Sequence, residues 1–183
     1  MKKDTSLSIF DKATFYAFNC HSDTNHYYDG MPYSFHLDMV DDVIMEFKHL
    51  IPAEDFENVR AAGRCHDVIE DCRQTYNDVK AATNEQVAEL AYALTNEKGK
   101  NRAERANDKY YQGIRDTQYG IFLKMADRIA NIRHNKKKKS KMFDMYKNEH
   151  SHFCVQLLCD GINKYNEMFV VASELFSHSQ QQA

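Results

Sequence analysis

The chain has 183 residues, 24 Lys+Arg against 27 Asp+Glu for a formal net charge of −3, 43% hydrophobic residues, 6 Gly and 2 Pro. That length implies one domain with a substantial core, and so little Gly and Pro argues against a turn-rich β fold. The charge balance does not suggest a dedicated nucleic-acid binder, whose face would be broadly basic, and no run of roughly 18 apolar residues offers a membrane span.

The opening "MKKDTSLSIFDKATF" lacks the sustained apolar stretch of a signal peptide. Cys20, Cys65, Cys72, Cys154 and Cys159 form no C-x-x-C pair, so neither a disulfide framework nor a structural zinc site is indicated. Reduced, packing cysteines in a cytoplasmic protein are the expectation. "GMPY" at 30–33 reads as a turn, and "HLDMVDDVIMEFKHL" follows with Leu37, Val40, Ile44 and Phe47 on one helical stripe.

A second helix is predicted from Pro52, where Pro, Glu54 and Asp55 suit a first turn. It runs through Val59, Ala62, Cys65 or His66, and Ile69. "TNEQVAELAYAL" opens with a capping-box pattern, Thr83 with Gln86, followed by Val87, Leu90, Ala91 and Leu94 at helical spacing. The basic run "EKGKNRAERANDKYYQGIR" would form a phosphate funnel if it lay beside an acidic cluster.

"TQYGIFLKMADRIANIRH" predicts a helix buried along Phe122, Met125, Ile129 and Ile132, and "KKKK" at 136–139 a solvated loop or helix end. "CVQLLCDGINKYNEMFVVASELF" gives one or two further helices around Gly161, before a frayed tail at 177–183. The whole is an all-α bundle, one domain over 1–183.

Chemistry concentrates in "RCHDVIED". On a helix, His66 and Glu70 stand four apart, as do Asp67 and Asp71, so all four would share an arc of one face. Carboxylates this crowded repel unless a cation sits among them, and His nitrogen with Asp oxygen suits Mn²⁺, Fe²⁺ or Zn²⁺. One pair is too few ligands. His36, at the start of an amphipathic helix, and Asp127, mid-helix among apolar residues where a lone carboxylate is costly, complete a two-His, two-Asp set. Taken singly, Asp127 could instead pair with Arg128 or Arg133.

"GMPYSFH" at 30–36, "HDVIED" at 66–71 and "KMADRIANIR" at 124–133 resemble the H…HD…D pattern of HD-domain metal-dependent phosphohydrolases. They are closest to the (p)ppGpp hydrolase domain of RelA/SpoT-type enzymes and their small single-domain relatives. The resemblance covers about residues 10–135 and implies an all-α HD-domain bundle. It makes His36, His66, Asp67 and Asp127 the metal ligands, usually for Mn²⁺, with Fe²⁺, Zn²⁺ or Mg²⁺ as other ions.

By the same resemblance Glu70 and Asp71 orient or deprotonate the attacking water, and Asn131 lies near the ribose and scissile phosphate. Lys124 and Arg128 match the pattern as substrate-side or supporting residues, and Arg105 and Lys109 would offset phosphate charge. Where the family carries an Arg-Lys pair against the base, this chain has Tyr27 and Tyr28. A tyrosine can stack on a base but brings no cation.

Three functions follow: hydrolysis of the 3′-pyrophosphate of (p)ppGpp-like nucleotides, HD-type hydrolysis of another nucleotide or nucleotide cofactor, or a metal-stabilised binding module without activity. The expected partner is a phosphorylated small molecule, with no nucleic acid or membrane and with oligomerisation left open.

Overall fold

The structure, a computed structural model, describes residues 7–158 and 164–177; Cys159, Gly161 and residues 178–183 lie outside them. It is all-α apart from one short ribbon among the described residues. The first helix, α1 (Ile9–Asp23), has no large-residue stripe to announce it. Ser8 caps it by accepting from the Asp11 amide, and its buried face is Ala13, Ala17, Cys20 and His21 while Phe15 and Phe18 stay exposed.

"GMPY" is half of a hairpin. Tyr27–Tyr28 pairs antiparallel with Met31–Pro32, closed by Asp29 at φ 51° and Gly30 at φ 78°. Two successive positive φ values define the type I′ turn that an Asp-Gly pair adopts most readily.

Next come α2 (Ser34–Glu46) and α3 (Ala53–Cys65), which pack on each other, with α1 packed along α3 as well. The expected single helix from Pro52 to Ile69 is in fact two. It stops at Cys65, and a short α4 (Val68–Asp71) begins after His66 and Asp67. Asp67 sits at φ −110°, ψ −2°, its carbonyl accepting the first α4 bond from the Asp71 amide at 2.9 Å.

The cap after α5 (Tyr76–Ala82) also differs from expectation. Thr83 closes α5 by donating its amide to the Val79 carbonyl, while Asn84, in extended conformation, caps α6 (Glu85–Leu94) by accepting from the Val87 amide. An N-cap needs extended backbone, which Asn84 has and Thr83 does not. A capping box does occur one helix earlier, between Thr75 and Asp78.

The basic run folds as α7 (Arg102–Arg105) and α8 (Asp108–Asp116). The central helix is α9 (Gly120–Lys138), packed by α2, α8, α10 (Lys141–Leu158) and α11 (Asn166–Ser177). Phe122, Met125, Ile129 and Ile132 are wholly buried, as the stripe predicts. The lysine run is a helix end: Lys139 leaves α9 in the left-handed region at φ 53°. No helix among the described residues is long and apolar enough to cross a membrane.

Candidate metal centre

The break between α3 and α4 positions the chemistry. In a continuous helix neighbouring side chains diverge by about 100°; here His66 and Asp67 turn toward one point, with Nε2 and Oδ2 2.8 Å apart. His36, in the first turn of α2, brings its Nε2 to 3.3 Å from His66 Nε2 and 3.7 Å from Asp67 Oδ2. Asp127, from the middle of α9, places Oδ1 3.4 Å from His36 Nε2 and 3.9 Å from His66 Nε2.

Supporting groups fix these four. The Gly63 carbonyl accepts from His66 Nδ1 at 2.8 Å, which turns Nε2 toward the centre. His36 stacks on Tyr28, centroids 4.7 Å apart, and its Nδ1 is buried without a hydrogen-bond partner, so Nε2 is the atom of that ring with work to do. Tyr33 donates its hydroxyl to Asp67. Lys124 donates to Asp127 Oδ2 at 3.1 Å and Asn131 to Oδ1 at 2.5 Å.

The electrostatics favour positive charge among these four side chains. Burial opposes a charged His66, yet Asp67 and Asp127 outweigh it and lift its pKa to about 9. Burial likewise resists ionisation of Asp127, and Lys124 with the two histidines overrides it and holds that carboxyl well below its usual range. Two imidazoles, each within 3.9 Å of both carboxylates, fit a borderline-to-hard divalent ion by donor type.

The centre lies in a cleft of about 650 Å³. Glu70 and Asp71 both line it. Glu70 is clamped: Oε2 accepts from the Asn96 amide at 3.2 Å, Oε1 from the Asn96 side chain at 3.1 Å, and Arg105 stands 3.7 Å away. Asp71 is looser, 3.8 Å from His26. Burial first, then the Asp67 and Glu70 charges, raise its pKa to about 7.

The cationic wall is partly as expected. Arg102, Arg105, Lys124 and Arg128 line the cleft. Lys109 does not; it is exposed, binds Glu97 at 2.8 Å and faces a separate depression. Asp127 pairs with neither Arg128 nor Arg133. Arg128 is buried against the Tyr146 carbonyl and Glu149, and Arg133 crosses to Glu46.

Neither tyrosine offers a base platform in the cleft. Tyr27 is 59% exposed and outside it. Tyr28 is occupied against His36 and donates its hydroxyl to Asn131 at 2.7 Å. Tyr33, Asn96 and Glu149 are contributors that sequence reasoning did not select. Tyr33 stood inside the "GMPY" motif, but Asn96 and Glu149 carry no local signal. No family model matches the sequence.

Proposed function

We propose that the protein is a metal-dependent phosphohydrolase of HD type that cleaves a phosphate ester or anhydride of a nucleotide, first of all the 3′-pyrophosphate of (p)ppGpp-like molecules. One observation carries the reading: Asp67 and Asp127 each come within 3.9 Å of both His36 and His66, from three separate segments, at the wall of a cleft that also holds an acidic pair and four cations. His36, His66, Asp67 and Asp127 would hold a divalent ion, Mn²⁺ before Fe²⁺, Zn²⁺ or Mg²⁺. When bound, such an ion lowers the pKa of a water ligand and polarises a phosphoryl oxygen.

The remaining roles belong to side chains. Asp71, poised near neutrality, accepts the proton of the attacking water, since a base works best with its pKa near the working pH. Glu70, held by Asn96 and Arg105, orients that water. Arg102, Arg105 and Lys124 stabilise the developing charge on non-leaving phosphate oxygens. Asn131, one turn beyond Asp127, bridges Asp127 to Tyr28 and keeps the metal-side carboxylate oriented.

A second reading, hydrolysis of another nucleotide or nucleotide cofactor by the same chemistry, is favoured by one feature: Tyr28 is already stacked on His36 and Tyr27 lies outside the cleft. Neither supplies a guanine platform.

A Mn²⁺-supplemented screen of ppGpp, NADPH, dNMPs and generic phosphodiesters tests both. Pyrophosphate release from ppGpp supports the first, and phosphate release from another nucleotide the second. Glu70→Ala is expected to keep Mn²⁺ bound while slowing turnover by at least about a hundredfold, the scale of lost positioning or acid–base assistance. A metal-loaded protein inert on every substrate would leave a binding module instead.

A further inference from the structure

We infer that His21, His26 and Cys72 form a second metal site, of the zinc class, separate from the centre of His36, His66, Asp67 and Asp127. The donors converge through the backbone. His21 lies in the last turn of α1. The chain then turns back at Asn25, in the left-handed region at φ 51°. Its amide bonds the Ser22 carbonyl and the His26 amide bonds the His21 carbonyl at 2.9 Å, a helix-ending pattern that folds the residue after the turn back over the last turn.

The two Nδ1 atoms thereby come to 3.0 Å. From the other side Cys72, the residue that ends α4, brings Sγ to 3.1 Å from His21 Nδ1, and all three donor atoms lie within 4.8 Å of one another. His21 and Cys72 are each only 2% exposed.

Hydrogen bonding alone serves this arrangement poorly. Nδ1 of a neutral imidazole is either one donor or one acceptor, yet His21 Nδ1 has two neighbours at hydrogen-bond distance. A cation at the junction engages all three atoms together. Zinc bonds of about 2.0–2.1 Å to nitrogen and 2.3 Å to sulfur imply tetrahedral edges of about 3.4–3.6 Å, so His21 Nδ1 and its two neighbours need part by only about half an ångström.

Donor chemistry separates this site from the first. A thiolate with two imidazoles is a softer set than two imidazoles with two carboxylates, and it selects zinc over Mn²⁺ or Mg²⁺. On binding, the Cys72 S–H bond breaks, its proton leaves to solvent and the sulfur lone pair goes to the metal. Three protein donors leave a fourth position for water.

The site would act as a clasp. It ties the end of α1 to the end of α4, next to Glu70 and Asp71. Both histidines stack on Tyr33, centroids 4.2 and 3.9 Å away, and that tyrosine holds Asp67.

The test uses the full chain, stripped by chelator and reloaded with Zn²⁺ or Co²⁺, with metal content and absorption as readouts independent of any hydrolase activity. Wild type is expected to hold two equivalents, and its Co²⁺ form to show a thiolate-to-cobalt charge-transfer band. Cys72→Ser and the half-buried His26→Ala should each lose one equivalent and the band, with circular dichroism confirming the fold.

His36→Ala should lose the other equivalent and keep the band, so failure of one site is distinguishable from failure of the other. The clasp is overturned by a wild-type Co²⁺ form without the band, by undiminished metal in His26→Ala and Cys72→Ser, or by a band that instead vanishes in Cys154→Ser, whose sulfur lies 3.6 Å from His150.

Discussion

Asp71 shows how a single side chain reports its surroundings. Its pKa in the fold, about 7, exceeds the ordinary 3.8, so the folded state binds its proton more tightly than the unfolded chain does. Stability therefore falls as pH rises from about 4 to about 7, and the cost is complete above that window. Asp71→Asn, neutral throughout, escapes it. In metal-free protein the variant should gain on wild type between pH 4.5 and pH 8 in urea denaturation, by less than a fully buried carboxyl would give because 33% of the side chain is exposed. No relative gain with pH would remove the crowding argument. The sequence showed Asp71 as one of a dense acidic pair; that Glu70 is the clamped member and Asp71 the poised one depends on Asn96, which contacts Glu70 from 26 positions away.

At the scale of elements, the α3–α4 break and the approach of α2 to α3 determine the ligand geometry. Gly63 lies where these helices meet: a Cβ there would come to 2.3 Å from Ile44 Cδ1. Ile44 is wholly buried, so its terminal methyl would have to shift within a packed core. Gly63→Ala is expected to cost about 1–3 kcal/mol, the usual range for overpacking. Because the Gly63 carbonyl also holds His66, the same change should weaken Mn²⁺ binding. Urea denaturation and metal titration of one sample check both, and a variant with unaltered stability and affinity would show that α2 and α3 separate freely. Apolar periodicity located α2, α3, α6 and α9, but it did not locate α1, whose buried face holds two alanines, a cysteine and a histidine and no large apolar residue, or the break after Cys65, where burial continues through His66 and Val68.

Over the whole molecule, the candidate centre would draw one ligand from α2, two from the α3–α4 turn and one from α9, so a cation bound there would cross-link the bundle. At a hundred times its dissociation constant, Mn²⁺ should stabilise the fold by about 2.7 kcal/mol, or roughly 5–10 °C in Tm for a domain of this size. Differential scanning calorimetry with and without chelator measures it, and Asp127→Ala should abolish the gain. An equal gain in that variant would mean that the stabilising ion binds elsewhere. The cleft likewise depends on the assembled bundle, since Glu149 of α10 reaches both Arg102 and Arg128.

The sequence by itself determined the helical class and the buried stripes, and it singled out the four side chains of the candidate centre, because burial periodicity and the cost of an unpaired carboxylate are local properties. The tertiary structure decided which cations face the cleft, sending Arg105 toward Glu70 and Lys109 away to Glu97. It also decided that Tyr28 supports His36 rather than standing free, and that two histidines and a cysteine some fifty positions apart meet at one point. These outcomes depend on helix rotation and on where loops return the chain. Both are set by packing among segments distant in sequence, which no window along the chain contains.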